Sequence, residues 1–189
     1  MDNYFNQEEL KKFAFAKMGD NIKISKSARL YDTHKMEFGN NVRIDDFCLL
    51  SGKLVFENNI HITPYCCLAG GDEGIYFSDF TAIAYRVTIF TRSDDYNGDT
   101  MVGSMIPETL RFNTIRKPVH LGKHVVIGTN TIVLPGCDIG EGCSIGAMSL
   151  MTKPTEPWGV YWGIPAKRYK ERSKKMLEQE KKYFSEESA

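Results

Sequence analysis

The sequence predicts an all-β fold, a solenoid of short parallel strands wound on a six-residue period, and three observations predict it. First, a large apolar residue recurs every sixth position: Phe38, Ile44, Leu50, Phe56, Ile62 and Leu68, then Phe77, Ile83 and Ile89, then Leu121, Ile127, Val133, Ile139, Ile145 and Met151. At the chain's 42% hydrophobic content, fifteen apolar leads out of fifteen arise by chance on the order of a few times in a million. Second, glycine follows the lead at 122, 128, 140 and 146, where a turn takes backbone angles that a Cβ resists. Third, the residue two before each late lead is small or β-branched: Val119, Val125, Thr131, Cys137, Cys143 and Ser149. Each six-residue unit makes one strand and one turn, and three units close a triangular coil whose leads stack along the axis.

The elements follow in order. Residues 7–17 read as a short helix, and residues 1–20 as a helical cap on the first coil. Ile22, Ile24, Ala28 and Leu30 begin the winding, which runs through residues 21–165. A three-residue insertion near Gly70-Gly71-Asp72-Glu73 interrupts the register. Between Ile89 and Leu121 the spacing is 32 residues, so a loop at about 92–117 leaves the coil, and a loop that long in a compact repeat usually carries function. Residues 166–189 follow Pro165, and their run from Ala166 to Phe184 reads as a charged C-terminal helix.

Composition narrows the function classes. Lys+Arg and Asp+Glu balance at 24 each, which argues against nucleic acid as a partner. The longest unbroken apolar run, Tyr65 to Ala69, is too short to cross a bilayer, and Met1-Asp2-Asn3-Tyr4 does not read as a signal peptide, so a cytoplasmic location is expected. Cys48, Cys66, Cys137 and Cys143 fall on inward positions of the repeat and read as small spacers; Cys67 alone faces outward.

The run from Lys117-Pro-Val-His-Leu-Gly-Lys-His to Ile145-Gly-Ala-Met-Ser-Leu-Met-Thr-Lys153, followed by Trp162-Gly-Ile-Pro-Ala-Lys167, strongly resembles the hexapeptide-repeat acyltransferases. The galactoside, maltose and surface-polysaccharide O-acetyltransferase branch is the nearest, over roughly residues 20–170. The resemblance implies a left-handed parallel β-helix, a homotrimer, acetyl-CoA as acyl donor, and active sites between subunits. Carried over position by position, it implies CoA contacts at Thr129, Ala147, Thr152 and Lys153, with Lys167 and Lys170 toward the CoA phosphates. The acceptor positions fall on His61, Thr63 and Asp72. No metal is expected.

One departure bears on mechanism. Galactoside-type members carry a catalytic histidine five residues past the third-face lead, and here that position is Asp94. Acyl transfer to a hydroxyl needs a base and an oxyanion donor. Of the four histidines, His34 reads as a surface residue, His124 as a turn hydrogen-bonder and His120 as an outward strand residue. His61, mid-strand on the second face, is the sharpest candidate base, with Asp94 or Asp95 of a neighbouring copy holding its ring. The competing reading makes Asp94 and Asp95 caps of the turn Asp-Tyr-Asn-Gly.

The leading expectation is an acetyl-CoA-dependent O-acetyltransferase acting on a sugar hydroxyl in surface polysaccharide or O-antigen synthesis. The alternatives are an N-acyltransferase of a nucleotide-linked amino sugar and a non-catalytic β-helix scaffold. A zinc enzyme on the same coil is disfavoured, because His120 and His124 lie on a strand and in a turn and do not converge.

Overall fold

Three parallel sheets wrap one axis in the computed structural model, which describes residues 3–187. The first face holds Lys17–Met18, Met36–Phe38, Leu54–Phe56, Ile75–Phe77 and Val119–Leu121. The second holds Lys23–Ile24, Val42–Ile44, Ile60–Ile62, Ala82–Ile83, Val126–Ile127, Ser144–Ile145 and Gly159–Gly163, and the third runs from Arg29–Tyr31 to Leu150–Met151. Each strand pairs in parallel with the strand one coil away, as Phe38 with Phe56 and Phe56 with Phe77.

The core is the repeat itself. All fifteen lead residues are buried, none more than 2% exposed, and so are the residues two before them. Small size at that second position is uniform at only one corner, and elsewhere small residues such as Cys137 and Cys143 alternate with large ones. On the first and second faces Met36, Leu54, Ile60 and Ile75 fill it, whereas the corner between the second and third faces takes Cys48, Cys66, Val87, Thr131 and Ser149. The four spacer cysteines are buried and free, and their thiols donate to carbonyls one coil on, as Cys48 Sγ to Thr63 O at 3.2 Å and Cys66 Sγ to Ala84 O at 3.2 Å. Burial pushes the Cys137 thiol up to about 11, which suits a spacer and not a nucleophile.

Both ends differ in extent from the sequence expectation. The N-terminal helix is α1, Gln7–Lys11, closed by a capping box between Asn6 and Glu9 and seated on the coil through buried Leu10. It stops short of residue 17 because Lys17–Met18 already pairs with Glu37–Phe38, so the winding starts before residue 21. At the other end, Ala166–Glu171 is not helical but folds back antiparallel on Gly159–Gly163. The last second-face strand leaves an open edge of backbone N–H and C=O groups, and the hairpin covers it. Trp162 stacks on Tyr169 across this hairpin, 4.2 Å between centroids.

The C-terminal helix, α2, is Met176–Glu187. Two contacts lock it to the corner between the first and second faces. Lys123 pairs with Glu180, and His124 Nε2 lies 3.0 Å from the same carboxylate. The hydrogen bond from Lys123, more than that from His124, holds the Glu180 carboxyl below its usual range. Arg172, ahead of the helix, donates through Nη1 to the carbonyls of His124, Gly142 and Cys143 at 2.7, 3.0 and 3.2 Å. The Lys-His pair at 123–124 is thus a clamp for the C-terminal segment.

Candidate active site

At the corner between the second and third faces one column of residues runs from coil to coil, small at its C-terminal end. Asn130 N–H donates to Tyr85 O and Met148 N–H to Thr129 O, so Tyr85, Thr129 and Ala147 occupy successive rungs. A Cβ on Gly128 would lie 2.5 Å from Ala147 N, so only glycine lets these coils stack. Thr129 is half-buried and Ala147 exposed. Thr152 and Lys153 are exposed beyond the last third-face strand, at a different corner. Lys167 and Lys170 are exposed on the hairpin that extends the second face. All six residues matched to CoA lie at the C-terminal end of the solenoid, but only Thr129 and Ala147 share a rung column.

Toward the N-terminal end the second face carries a polar cluster. Cross-strand register sets His61 beside Arg43, and Asp45 two residues further on receives them both. His61 Nε2–H donates to Asp45 Oδ2 at 2.8 Å, while Arg43 Nε and the Tyr4 hydroxyl donate to Oδ1 at 2.7 and 2.8 Å. Burial pushes the Asp45 carboxyl up, but the hydrogen bonds from His61, Arg43 and Tyr4 outweigh it and hold the group below its ordinary value. With Nε2–H committed, Nδ1 is the imidazole atom left to accept a proton.

Within the chain the carboxylate that orients His61 is Asp45, through Nε2. The signal was available, since Asp45 lies on the coil before His61, but a carboxylate at a corner does not announce which strand residue it reaches. Thr63 follows at the corner, and its Oγ1 is buried with no hydrogen-bond partner among the described residues.

Asp72 does not join His61 and Thr63. It lies in the insertion at the opposite corner, between the third and first faces, and pairs with Lys35 at 2.7 Å. The long loop leaves from that same corner, opening as a short antiparallel pair of Arg92–Ser93 with Ile115–Arg116. Asp95 accepts backbone N–H groups from Asn97, Asp99 and Thr100 at 2.9, 2.8 and 2.9 Å, using both oxygens. The bond from Asn97 leads in holding its carboxyl below the usual range. Asp95 therefore braces the loop and is a poor base. Among the described residues, Asp94 accepts only Gly103 N–H at its side chain, through Oδ2 at 3.0 Å, and its other oxygen is open.

The remaining histidines have separate partners. His120 Nδ1 lies 2.8 Å from Asp138 and its ring stacks on Tyr76, His124 meets Glu180, and His34 is exposed. Among the described residues, no group of three His, Cys, Asp or Glu side chains gathers to hold a metal, and no helix is long and apolar enough to cross a membrane.

The Asp45 cluster makes a pH prediction. Its depressed carboxyl contributes stability that is complete above the ordinary carboxylate pKa of about 3.9 and is lost as pH falls through the lower folded value. Asp45→Asn is expected to lower stability at pH 7 by about 1–3 kcal/mol. It should also flatten the acid limb of a denaturation series from pH 6 to pH 2. An unchanged acid limb would show that Asp45 is not the linked group.

Comparison with known proteins places this architecture. The family model described as bacterial transferase hexapeptide (six repeats) matches residues 118–153. A dTDP-4-amino-4,6-dideoxy-D-glucose acyltransferase of Escherichia coli is 39% identical over 179 residues, 94% of this chain and 93% of that protein. AntD, an N-acyltransferase from Bacillus cereus in complex with dTDP and 3-hydroxybutyryl-CoA, superposes with a TM-score of 0.97 at 39% identity, covering 100% of both chains. A variant of AntD in complex with dTDP-4-amino-4,6-dideoxyglucose and coenzyme A gives a TM-score of 0.96 at 40% identity, over 98% of this chain and 100% of that one. The buried six-residue repeat and a near full-length relative lead to one conclusion: this chain belongs to the hexapeptide-repeat acyltransferases and is an acyl-transfer enzyme.

Proposed function

We propose that this enzyme transfers an acyl group from an acyl-CoA to the amino group of a nucleotide-linked amino sugar, with a dTDP-linked 4-amino sugar as the acceptor class. The similarity to AntD and to the Escherichia coli enzyme, which runs the length of the chain, supports an amine acceptor over the hydroxyl acceptor first expected. The observation that carries the reading lies in the loop. Where a hydroxyl-acylating relative would place an imidazole base, this chain presents Asp94 with one carboxylate oxygen open and Asp95 with both engaged.

An amine needs no strong base. Its lone pair attacks the thioester carbon, the C–S bond breaks, and the proton lost by nitrogen ends on the departing thiolate. Asp94 then serves to accept a hydrogen bond from the amine and aim it. The corner at Thr129 and Ala147 takes the pantetheine arm, with Thr152, Lys153, Lys167 and Lys170 toward the rest of CoA. His61, held by Asp45, and Thr63 contact the acceptor sugar. Two copies form each site within a homotrimer. In support, Leu49, Cys67, Ile132 and Leu150 share one outward ladder of the third face, and Tyr96, Met105 and Phe112 stand exposed on the loop.

A thiol-release assay tests the reading, using acetyl-CoA and 3-hydroxybutyryl-CoA against dTDP-linked 4-amino sugars and their 4-hydroxy counterparts. The expected result is a kcat/KM at least a hundredfold higher for the amine, with His61→Ala keeping turnover within about fivefold. A preference for the hydroxyl acceptor, or loss of turnover in His61→Ala on the order of a thousandfold as for a true general base, would return the enzyme to O-acylation.

A further inference from the structure

The long loop holds the single Asn-Gly pair of the chain, Asn97 followed by Gly98. The amide carbon of an asparagine is an electrophile, and the main-chain nitrogen of the next residue can attack it where no side chain stands in the way. Glycine alone offers no Cβ to hinder that approach. Elsewhere the chain protects its asparagines. At the corner between the first and second faces, Asn21 Nδ2 donates to Asn41 Oδ1 at 2.8 Å and Asn41 Nδ2 to Asn59 Oδ1 at 3.0 Å. Asn40 and Asn58 accept the main-chain N–H groups of Asp20 and Asn40 through Oδ1, at 2.8 and 2.9 Å. An amide held in this way cannot turn onto the next nitrogen. Asn113 and Asn130 precede Thr114 and Thr131, whose branched side chains crowd the approach.

Around Asn97 that protection is missing. Asp95 accepts the N–H groups of Asn97, Asp99 and Thr100 and skips Gly98 between them. Among the described residues, neither the Gly98 N–H nor the Asn97 side-chain amide has a hydrogen-bond partner. Both residues are exposed, and nothing lies within 4 Å of the place a Cβ would take on Gly98, at φ 85. Recesses of about 300 and 680 Å³ flank the pair, the first lined by Asn97 and the second by Gly98, and Asp94 lines both.

We infer that Asn97-Gly98 is a self-modification site through which the active-site loop ages. The Gly98 nitrogen gives its proton to solvent hydroxide and bonds to Asn97 Cγ. The bond from Cγ to the amide nitrogen breaks, and that nitrogen leaves as ammonia after taking a proton from water. The cyclic imide so formed takes up one water and opens at either carbonyl, to aspartate or isoaspartate at position 97. Either product sets a new carboxylate among Asp94, Asp95 and Asp99, where like charges repel. Isoaspartate also adds a methylene to the main chain between the N–H groups that Asp95 gathers, so Asp95 can no longer hold all three. Asp94, beside that brace, loses its fixed place. Only the consequence for turnover rests on the proposed role of Asp94; the modification stands apart from it.

Incubation of the intact protein in mildly alkaline buffer tests this. Trypsin then releases residues 93–111, whose mass reports the change from amide to acid, and labelling by isoaspartyl methyltransferase counts the isoaspartate. Asn97→Gln demands a less favoured, larger ring, and Gly98→Ala restores a Cβ; each is expected to slow the mass gain about tenfold or more. Gly98→Ala also forces a Cβ onto a left-handed backbone, so if it disturbs the loop, Asn97→Gln decides. Fresh Asn97→Gln should match wild-type turnover and keep it through incubation. Wild type should lose kcat/KM as isoaspartate accumulates, about tenfold or more when conversion is complete. The inference is overturned if wild type gains no mass in residues 93–111, or if Asn97→Gln gains it as fast. It is equally overturned if converted wild type keeps its fresh turnover, or if Asn97→Gln loses activity at the wild-type rate. Fresh enzyme that acylates no amino sugar would instead strike at the proposed function, and the mass readout would still decide the modification.

Discussion

Truncating Phe56 to alanine is expected to lower the unfolding free energy by about 3–5 kcal/mol. Phe56 is 2% exposed and sits between two rings, 5.0 Å from Phe38 at 12° and 4.8 Å from Phe77 at 15°. Deleting it removes a large apolar side chain, two ring contacts of about 0.5–1.5 kcal/mol each, and the spacer that keeps three coils in register. The neighbours cannot collapse into the gap, because the β-ladder sets the coil spacing. The same change at Phe15, half-buried where this run of rings passes on to Phe13, should cost clearly less. Urea unfolding followed by circular dichroism, at one fixed chain concentration because assembly would shift the midpoint, measures both. A loss below about 1.5 kcal/mol for Phe56→Ala would mean that the aromatic stack adds little to the solenoid.

Replacing Ala147 with tryptophan is expected to weaken acyl-CoA binding on the order of a hundredfold, about 2.7 kcal/mol. Ala147 is exposed, so the larger side chain meets no core atom, and stability should stay within about 0.5 kcal/mol of wild type. The effect is confined to the corner where Thr129 and Ala147 stand on successive coils, the proposed path of the pantetheine arm. A calorimetric titration with CoA reads the affinity, and a thermal melt confirms the fold. Wild-type affinity in Ala147→Trp would remove the corner from the donor site and leave the basic hairpin residues Lys167 and Lys170 as the main attachment.

Much of the fold was legible because a solenoid is nearly one-dimensional: each coil touches only its neighbours, so period and inward position say almost everything about the core. Phe38 to Met151 are read correctly from spacing alone, and so are the four buried cysteines. The ends were less legible. The run after Pro165 has the charge of a solvated helix, yet its first six residues, Ala166–Glu171, form a strand, because an open sheet edge lay beside them. Local composition cannot register an unpaired edge that only the finished coil creates.

The site divides along the same line. Asp94 and the Thr129–Ala147 corner could be placed by counting from lead residues, since their positions depend on the repeat. Asp45 could not be assigned to His61, nor Glu180 to Lys123 and His124. Asp45 and His61 share an unbroken register, but which side chain a corner carboxylate reaches depends on its rotamer; the other pairings join segments whose relative placement the repeat does not set. By itself, then, the sequence determined the solenoid, its core and the family of its chemistry, because apolar periodicity acts locally and repeats. Which side chains meet across coils and which carboxylate oxygens are already engaged were decided only by the tertiary structure, because hydrogen bonds and stacked rings depend on a few ångströms of register.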